Sequence, residues 1–244
     1  MMDEIFENLP LRYASAFLDM PPTAPTLNEA RVVVLPVPYD STTSYRVGAR
    51  YGPSAIIAAS RELELYDLEL DRDISTVGIF TLPELEPHLG NPEAMIRRVY
   101  KAVKLVADED KLFVTLGGEH TVAIGAVQAL KELYTDMSVL YLDAHPDLRD
   151  EYLGTHSGHA SVARRLSEIC PISQVGVRVI SQEEKLFLDE TDIHVTFWPP
   201  RSDDIEQIVT DILAHLSERI YISVDLDVLD PSIMSAVGNP EPGG

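Results

Sequence analysis

Short runs of β-branched and other apolar residues alternate along the chain with longer stretches whose apolar positions recur at a helical spacing. A strand covered on both faces reads as a near-continuous apolar run and a covering helix as an amphipathic one, so the alternation predicts a parallel sheet flanked by helices. Strands are expected over residues 31–36, 111–116, 138–142, 172–179 and 220–225, with a further short one over 194–197. Helices are expected over 53–65, 92–108, 121–134, 160–169, 182–190 and 203–217, several of them opening on Pro or Asp. Residues 21–25 are proline-rich and predict an extended arm. No repeat or linker interrupts the rest, so residues 1–244 are expected to form one domain.

Composition narrows the partners. A chain of 244 residues that is 45% hydrophobic can bury a large core. Its formal charge of -21 repels phosphate backbones and anionic lipid, which argues against nucleic acid and membranes as partners. The same charge would attract a cationic ligand, although a solvated acidic surface accounts for it more simply. Cys170 is the single cysteine; it cannot form an internal disulfide and suits a reducing compartment, so a cytoplasmic location is expected. The N-terminus is acidic and has no apolar signal-like region, and no stretch approaches the roughly 20 apolar residues of a membrane span.

Three motifs move the reading from architecture to chemistry. In Tyr141-Leu142-Asp143-Ala144-His145-Pro146-Asp147 a strand would point Asp143, His145 and Asp147 the same way. Pro146 cannot donate to a sheet ladder, so the strand is expected to end there, at the edge where open α/β sheets bind ligands. Asp225 and Asp227 repeat the spacing in Ser223-Val224-Asp225-Leu226-Asp227-Val228-Leu229-Asp230-Pro231. In Thr115-Leu116-Gly117-Gly118-Glu119-His120-Thr121 the glycine pair permits a sharp turn that leaves His120 at the mouth. Each motif alone is ordinary turn chemistry, but together they bring four carboxylates and two imidazoles to one rim. Such a set is costly to bury unless cations neutralise it. Two divalent ions fit, bridged by a carboxylate from each strand, and oxygen-rich ligation with imidazole favours Mn²⁺. Ions about 3.5 Å apart would share a hydroxide that is nucleophilic at neutral pH.

The GlyGlyGluHis turn, the AspAlaHisxAsp strand end and the SerxAspxAspxxAspPro strand end closely resemble the motifs of the ureohydrolase, or arginase/agmatinase, family. Pro36-Val37-Pro38-Tyr39-Asp40 and Thr43-Ser44-Tyr45-Arg46 through Gly52-Pro53 look most similar to the agmatinase branch. The resemblance implies a three-layer α-β-α fold with a mostly parallel central sheet. It implies that His120, Asp143, Asp147 and Asp225 hold a first manganese and Asp143, His145, Asp225 and Asp227 a second, with Asp143 and Asp225 bridging. His159, before the pair Arg164-Arg165, matches the family's proton shuttle; His156 is its rival on the same loop. Asp147 would steady the proton of the nucleophile. The implied reaction takes a small cationic guanidino substrate, agmatine above all, to urea and an amine such as putrescine, in a homo-oligomer of three or six chains. Aminopropylagmatine, arginine, guanidinobutyrate and formiminoglutamate hydrolases share these motifs. A single-zinc deacetylase on a similar fold would leave His120, Asp147 and Asp227 without a task.

One departure stands at the end of the sequence. Residues 240–244 form a loop that in the family leads to a helix, a central strand with a guanidinium-binding Glu, and a final helix. The resemblance therefore implies a sheet short of one strand, no residue here for that Glu, and a shortened chain with reduced turnover or a subunit role.

Overall fold

The computed structural model describes residues 11–12, 16–19, 25–108, 110–200 and 204–244. Residues 21–24 of the expected arm, and residue 203 at the head of the last expected helix, lie outside these. The principal strands are β1 (Val32–Val37), β2 (Ile79–Thr81), β3 (Leu112–Gly117), β4 (Ser138–Leu142), β5 (Ile172–Val177), β6 (His194–Phe197) and β7 (Ile220–Val224). The helices are α1 (Gly52–Ser60), α2 (Pro92–Val106), α3 (Val122–Leu133), α4 (Val162–Ser167), α5 (Gln182–Asp189) and α6 (Ile205–Leu213).

All strand pairs in the two main sheets are parallel, as the alternating pattern requires. One sheet has the order β2-β1-β3 and the other β6-β5-β4-β7. The expected central sheet is thus divided. Among the described residues β3 and β7 each pair on one side only. They still meet through side chains near their carboxyl ends, where His120 Nε2 lies 2.7 Å from Ser223 Oγ. β7 is the more open of the two, with Ile222 59% and Val224 52% exposed.

Local chemistry explains where the helices start. Asn91 accepts the N–H of Ala94 at 2.6 Å and Pro92 supplies the preset first-turn φ, so α2 begins where its sequence says. Ser181 and Glu184 form a capping box on α5, and Asp204 accepts the N–H of Gln207 on α6. Along α2, Met95, Val99, Ala102, Val103 and Val106 recur at helical spacing and are buried against α3 and the sheet residues Val33, Leu35 and Val37. Each of these valines and Met95 contributes roughly 1.5–3 kcal/mol by leaving water, and Ala102 less; Val99→Asp would put a charge into that seam. The strand Ile79–Thr81 is too short to stand out in the apolar pattern. The expected helix over 53–65 stops at Ser60, and a 3-10 turn, His159–Ser161, precedes α4. Among the described residues no helix is long and apolar enough to cross a membrane.

Candidate metal centre

The site lies where β3, β4 and β7 end. β4 stops at Leu142 and β7 at Val224, so the acids beyond them are not aligned by strand alternation, as the sequence spacing suggested. They are gathered by turns. Asp147 takes a left-handed conformation, φ 49, unusual for a residue with a side chain, and Asp227 sits in a 3-10 turn over Leu226–Val228. The turns are stitched together: Asp143 Oδ1 accepts the N–H of His145 at 2.7 Å, Asp225 Oδ1 that of Asp227 at 3.1 Å, and Asp227 Oδ1 that of Ala144 at 3.2 Å. Gly118 is needed for space rather than for an unusual φ, because a Cβ there would meet the Tyr39 carbonyl oxygen at 2.0 Å. Gly176, at φ 103, lets β5 pass the Asp143 carbonyl; a Cβ would lie 3.0 Å from that oxygen.

The six expected ligands come together. His120 Nδ1 lies 3.0 Å from Asp143 Oδ2, 3.3 Å from Asp225 Oδ2 and 3.5 Å from Asp147 Oδ2. His145 Nδ1 lies 3.0 Å from Asp227 Oδ2 and 3.5 Å from Asp143 Oδ1. Two groups are compact enough to hold an ion, His120 with Asp143 and Asp147, and Asp143 with His145 and Asp227. Asp143 belongs to both and Asp225 flanks the first.

Electrostatics test whether these residues suit a cation. Burial works against the ionised form of Asp143, but the imidazoles of His120 and His145 outweigh it and bring its carboxyl down to about 2. Burial also opposes the imidazolium at His145, yet Asp143 and Asp227 push it up to about 11. His120, equally opposed by burial, is held well above its ordinary value by Asp143 and Asp225. Asp147 and Asp227 are pushed up, chiefly by burial, the latter to about 7. The cluster therefore holds protons where it lacks positive charge. Asp143 Oδ2 is buried, and its 3.0 Å approach to His120 Nδ1 lacks hydrogen-bond geometry, so the oxygen accepts no hydrogen bond. An orphaned carboxylate oxygen amid oxygen-rich donors and two imidazoles, with Cys170 packed elsewhere against Leu166, fits a hard or borderline divalent cation.

Several supporting residues escaped the sequence reading. Both imidazoles turn Nδ1 inward, and the outward Nε2 of His120 meets Ser223 Oγ, the kind of contact that fixes a ligand histidine's ring. Tyr141 stacks on His120 with centroids 4.5 Å apart and donates its hydroxyl to Asp147 Oδ2 at 2.8 Å. Burial and then Asp147 push its phenol well up, so it stays a donor. Glu119 accepts the Thr42 hydroxyl at 2.7 Å and its N–H at 2.8 Å; Thr42 Oγ1 in turn accepts the N–H of His159 at 2.9 Å. The signal for Glu119 was present, since it adjoins His120 in the same turn.

His159 stands 3.3 Å from Thr42 Oγ1 through Nδ1 and 3.2 Å from Ser44 Oγ through Nε2. It lines a cavity of about 500 Å³ together with His145, Asp147, Tyr152 and Glu241. Burial lowers its pKa, so at neutral pH the imidazole is largely uncharged and able to take up and release a proton. His156 faces elsewhere: its Nδ1 lies 2.8 Å from the Asp150 carbonyl and its Nε2 3.6 Å from Glu151, on an exposed side chain. Arg50, in the loop before α1, pairs with buried Asp40 and staples that loop rather than facing the cavity.

Comparison with known proteins agrees with this architecture. A sequence profile of the Arginase family matches residues 30–244. The chain is 42% identical over 218 residues to an N(1)-aminopropylagmatine ureohydrolase of Thermus thermophilus, covering 88% of this chain and 74% of that protein. It is 30% identical over 224 residues to the agmatinase of Bacillus subtilis, covering 90% and 76%. Among solved structures, the agmatine ureohydrolase of Thermoplasma volcanium superposes with a TM-score of 0.84 at 32% identity, covering 99% of this chain and 80% of that one.

Proposed function

Because the chain belongs to the arginase family, we propose that it hydrolyses the guanidino group of a linear cationic amine, N1-aminopropylagmatine in the first place and agmatine in the second, releasing urea. The observation that carries this reading is the pair of donor groups sharing Asp143, whose members His145 and Asp147 line the same cavity as His159. The order of substrates follows the relatives, 42% identity to an aminopropylagmatine ureohydrolase against 30% to an agmatinase. Agmatine was the expectation from sequence, and the likeness to the agmatine ureohydrolase fold keeps it as the second substrate.

In this reading His120, Asp143, Asp147, Asp225, His145 and Asp227 hold two manganese ions. When bound, the ions supply the Lewis acidity that makes water nucleophilic at neutral pH and the charge that balances the carboxylates. Asp147, with Oδ2 engaged by Tyr141, holds the proton of the attacking water on its other oxygen. His159, uncharged at rest and positioned by Thr42 and Ser44, takes up the proton released from the water and passes it to the departing amine nitrogen. The balance is one guanidinium and one water giving urea and one alkylammonium. Homo-oligomeric assembly and a cytoplasmic setting accompany this proposal.

Urea release measured with added Mn²⁺ on aminopropylagmatine, agmatine, arginine and guanidinobutyrate tests it. Turnover highest on the first two supports the reading; higher turnover on arginine or guanidinobutyrate, or none on any guanidino compound, overturns it.

A further inference from the structure

Glu241 stands out in the cavity as a carboxylate that accepts no hydrogen bond among the described residues. Its neighbours on the wall are committed: Glu184 accepts hydrogen bonds from Ser181 and from the N–H of Leu148, and Arg149 lies over the Tyr152 ring 4.9 Å away with Glu183 at 3.8 Å. The Glu241 side chain, 35% exposed, has one ion-pair contact within 4 Å among the described residues, His145 Nε2 at 3.9 Å, beyond hydrogen-bond reach. Its backbone, in contrast, is fixed. Arg178 Nη2 donates to the Glu241 carbonyl at 2.8 Å and to that of Asp227 at 2.7 Å, while Nη1 reaches the Val228 carbonyl at 3.1 Å. Asp230 Oδ2 accepts the N–H of Gly243 at 2.7 Å, and Pro240 and Pro242 restrict the backbone on either side. A rigid mount carrying an unpartnered carboxylate is suited to a ligand cation, because little ordering remains to be done on binding.

Its location says which cation. His145 turns Nδ1 toward Asp143 and Asp227 and Nε2 toward Glu241, so the carboxylate stands one imidazole's width outside the cluster, in the same cavity. Resting on the proposed guanidino hydrolysis, we propose that Glu241 determines specificity by binding the ammonium of the substrate's tail while the guanidino carbon faces the cluster. A tail ammonium gains a charge-assisted hydrogen bond there, and the tail carboxylate of a guanidino acid is repelled. The subsite therefore selects guanidino amines over arginine-like or guanidinobutyrate-like compounds.

Glu241→Gln tests this on the manganese-loaded chain. The ratio of kcat/KM for agmatine over 1-butylguanidine, which lacks the ammonium, is expected to fall about 10- to 100-fold, the value of one charged hydrogen bond. Calorimetric affinity for 1,4-diaminobutane is expected to weaken by a similar factor, with the metal content of the chain retained. Glu241→Asp should fall between the two, and Glu241→Lys should improve guanidinobutyrate relative to agmatine. An unchanged ratio together with unchanged diamine affinity overturns the inference. If the parent chain releases no urea from any compound, the proposed function fails, and the diamine titration still decides the role of Glu241.

Discussion

The two halves of the candidate centre are built differently. Around His120 the surroundings are mostly enclosed: the side chain is 6% exposed, stacked on Tyr141, tied through Nε2 to Ser223 and surrounded by buried Asp143 and Asp147 and by the partly exposed Asp225. Around His145 the side chain is 22% exposed, its Nε2 makes no hydrogen bond among the described residues and lies 3.9 Å from Glu241, and the cavity opens beside it. The same residue type thus serves as a fixed post on one side and as the edge of an open chamber on the other. Under the proposed reaction the open half faces the substrate, and the closed half sets the position of the charges it works with.

The largest expected effect comes from the one residue common to both halves. Asp143→Asn removes an anionic donor from each group, so metal analysis should show fewer than two ions per chain and urea release should fall by at least about 10³-fold, several kcal/mol of transition-state stabilisation. Full metal content with near-normal turnover would mean that the two groups do not share Asp143. The asymmetry itself is read by His120→Asn and His145→Asn in metal-free protein. Removing the enclosed imidazolium leaves buried carboxylates uncompensated, a loss on the order of 3 kcal/mol, whereas the open side can admit water. The melting temperature should drop clearly further for His120→Asn, and equal drops would erase the distinction between the halves. Smaller again, His159→Asn should lower kcat by about 10²-fold with metal content unchanged, as loss of a proton-transfer group does, while His156→Asn leaves kcat unaltered. A loss of kcat in the His156 variant instead would exchange the two roles.

Much of this was legible in the sequence because the donors come in local pairs at the ends of apolar runs. Asp143 with His145, and Asp225 with Asp227, announce themselves within single motifs. The reason first assigned to their convergence, side-chain alternation along a strand, was not the operative one, since both strands end before the acids begin. Turn geometry, including the left-handed Asp147, cannot be read from spacing two apart. Ser223, Tyr141 and Thr42 were illegible for a different reason: each is ordinary in its own segment and acquires a role only through a contact with a distant one, as in the 2.7 Å approach of Ser223 to His120. Glu119 was readable in principle, lying beside a candidate ligand, but its service to Thr42 depends on a loop 77 positions away.

The smallest effect addresses how the centre copes without metal. His145 has its folded pKa raised to about 11 and His120 is raised well above its ordinary value, so both imidazoles carry protons at pH 7. A raised basic pKa stabilises the fold fully below the unfolded value of about 6.5, and that contribution is lost as pH rises through the folded value. Metal-free protein should accordingly lose this stabilisation progressively as pH rises above about 6.5, with the share of His145 gone only near pH 11. Cation binding needs the neutral imidazoles and must expel those protons, so affinity should rise with pH by up to about tenfold per unit for each proton released. Calorimetry of Mn²⁺ binding in two buffers of different ionisation enthalpy counts the protons directly. A release near zero at pH 7 would show that the imidazoles are already neutral, and that the carboxylates of both halves are balanced by some other means.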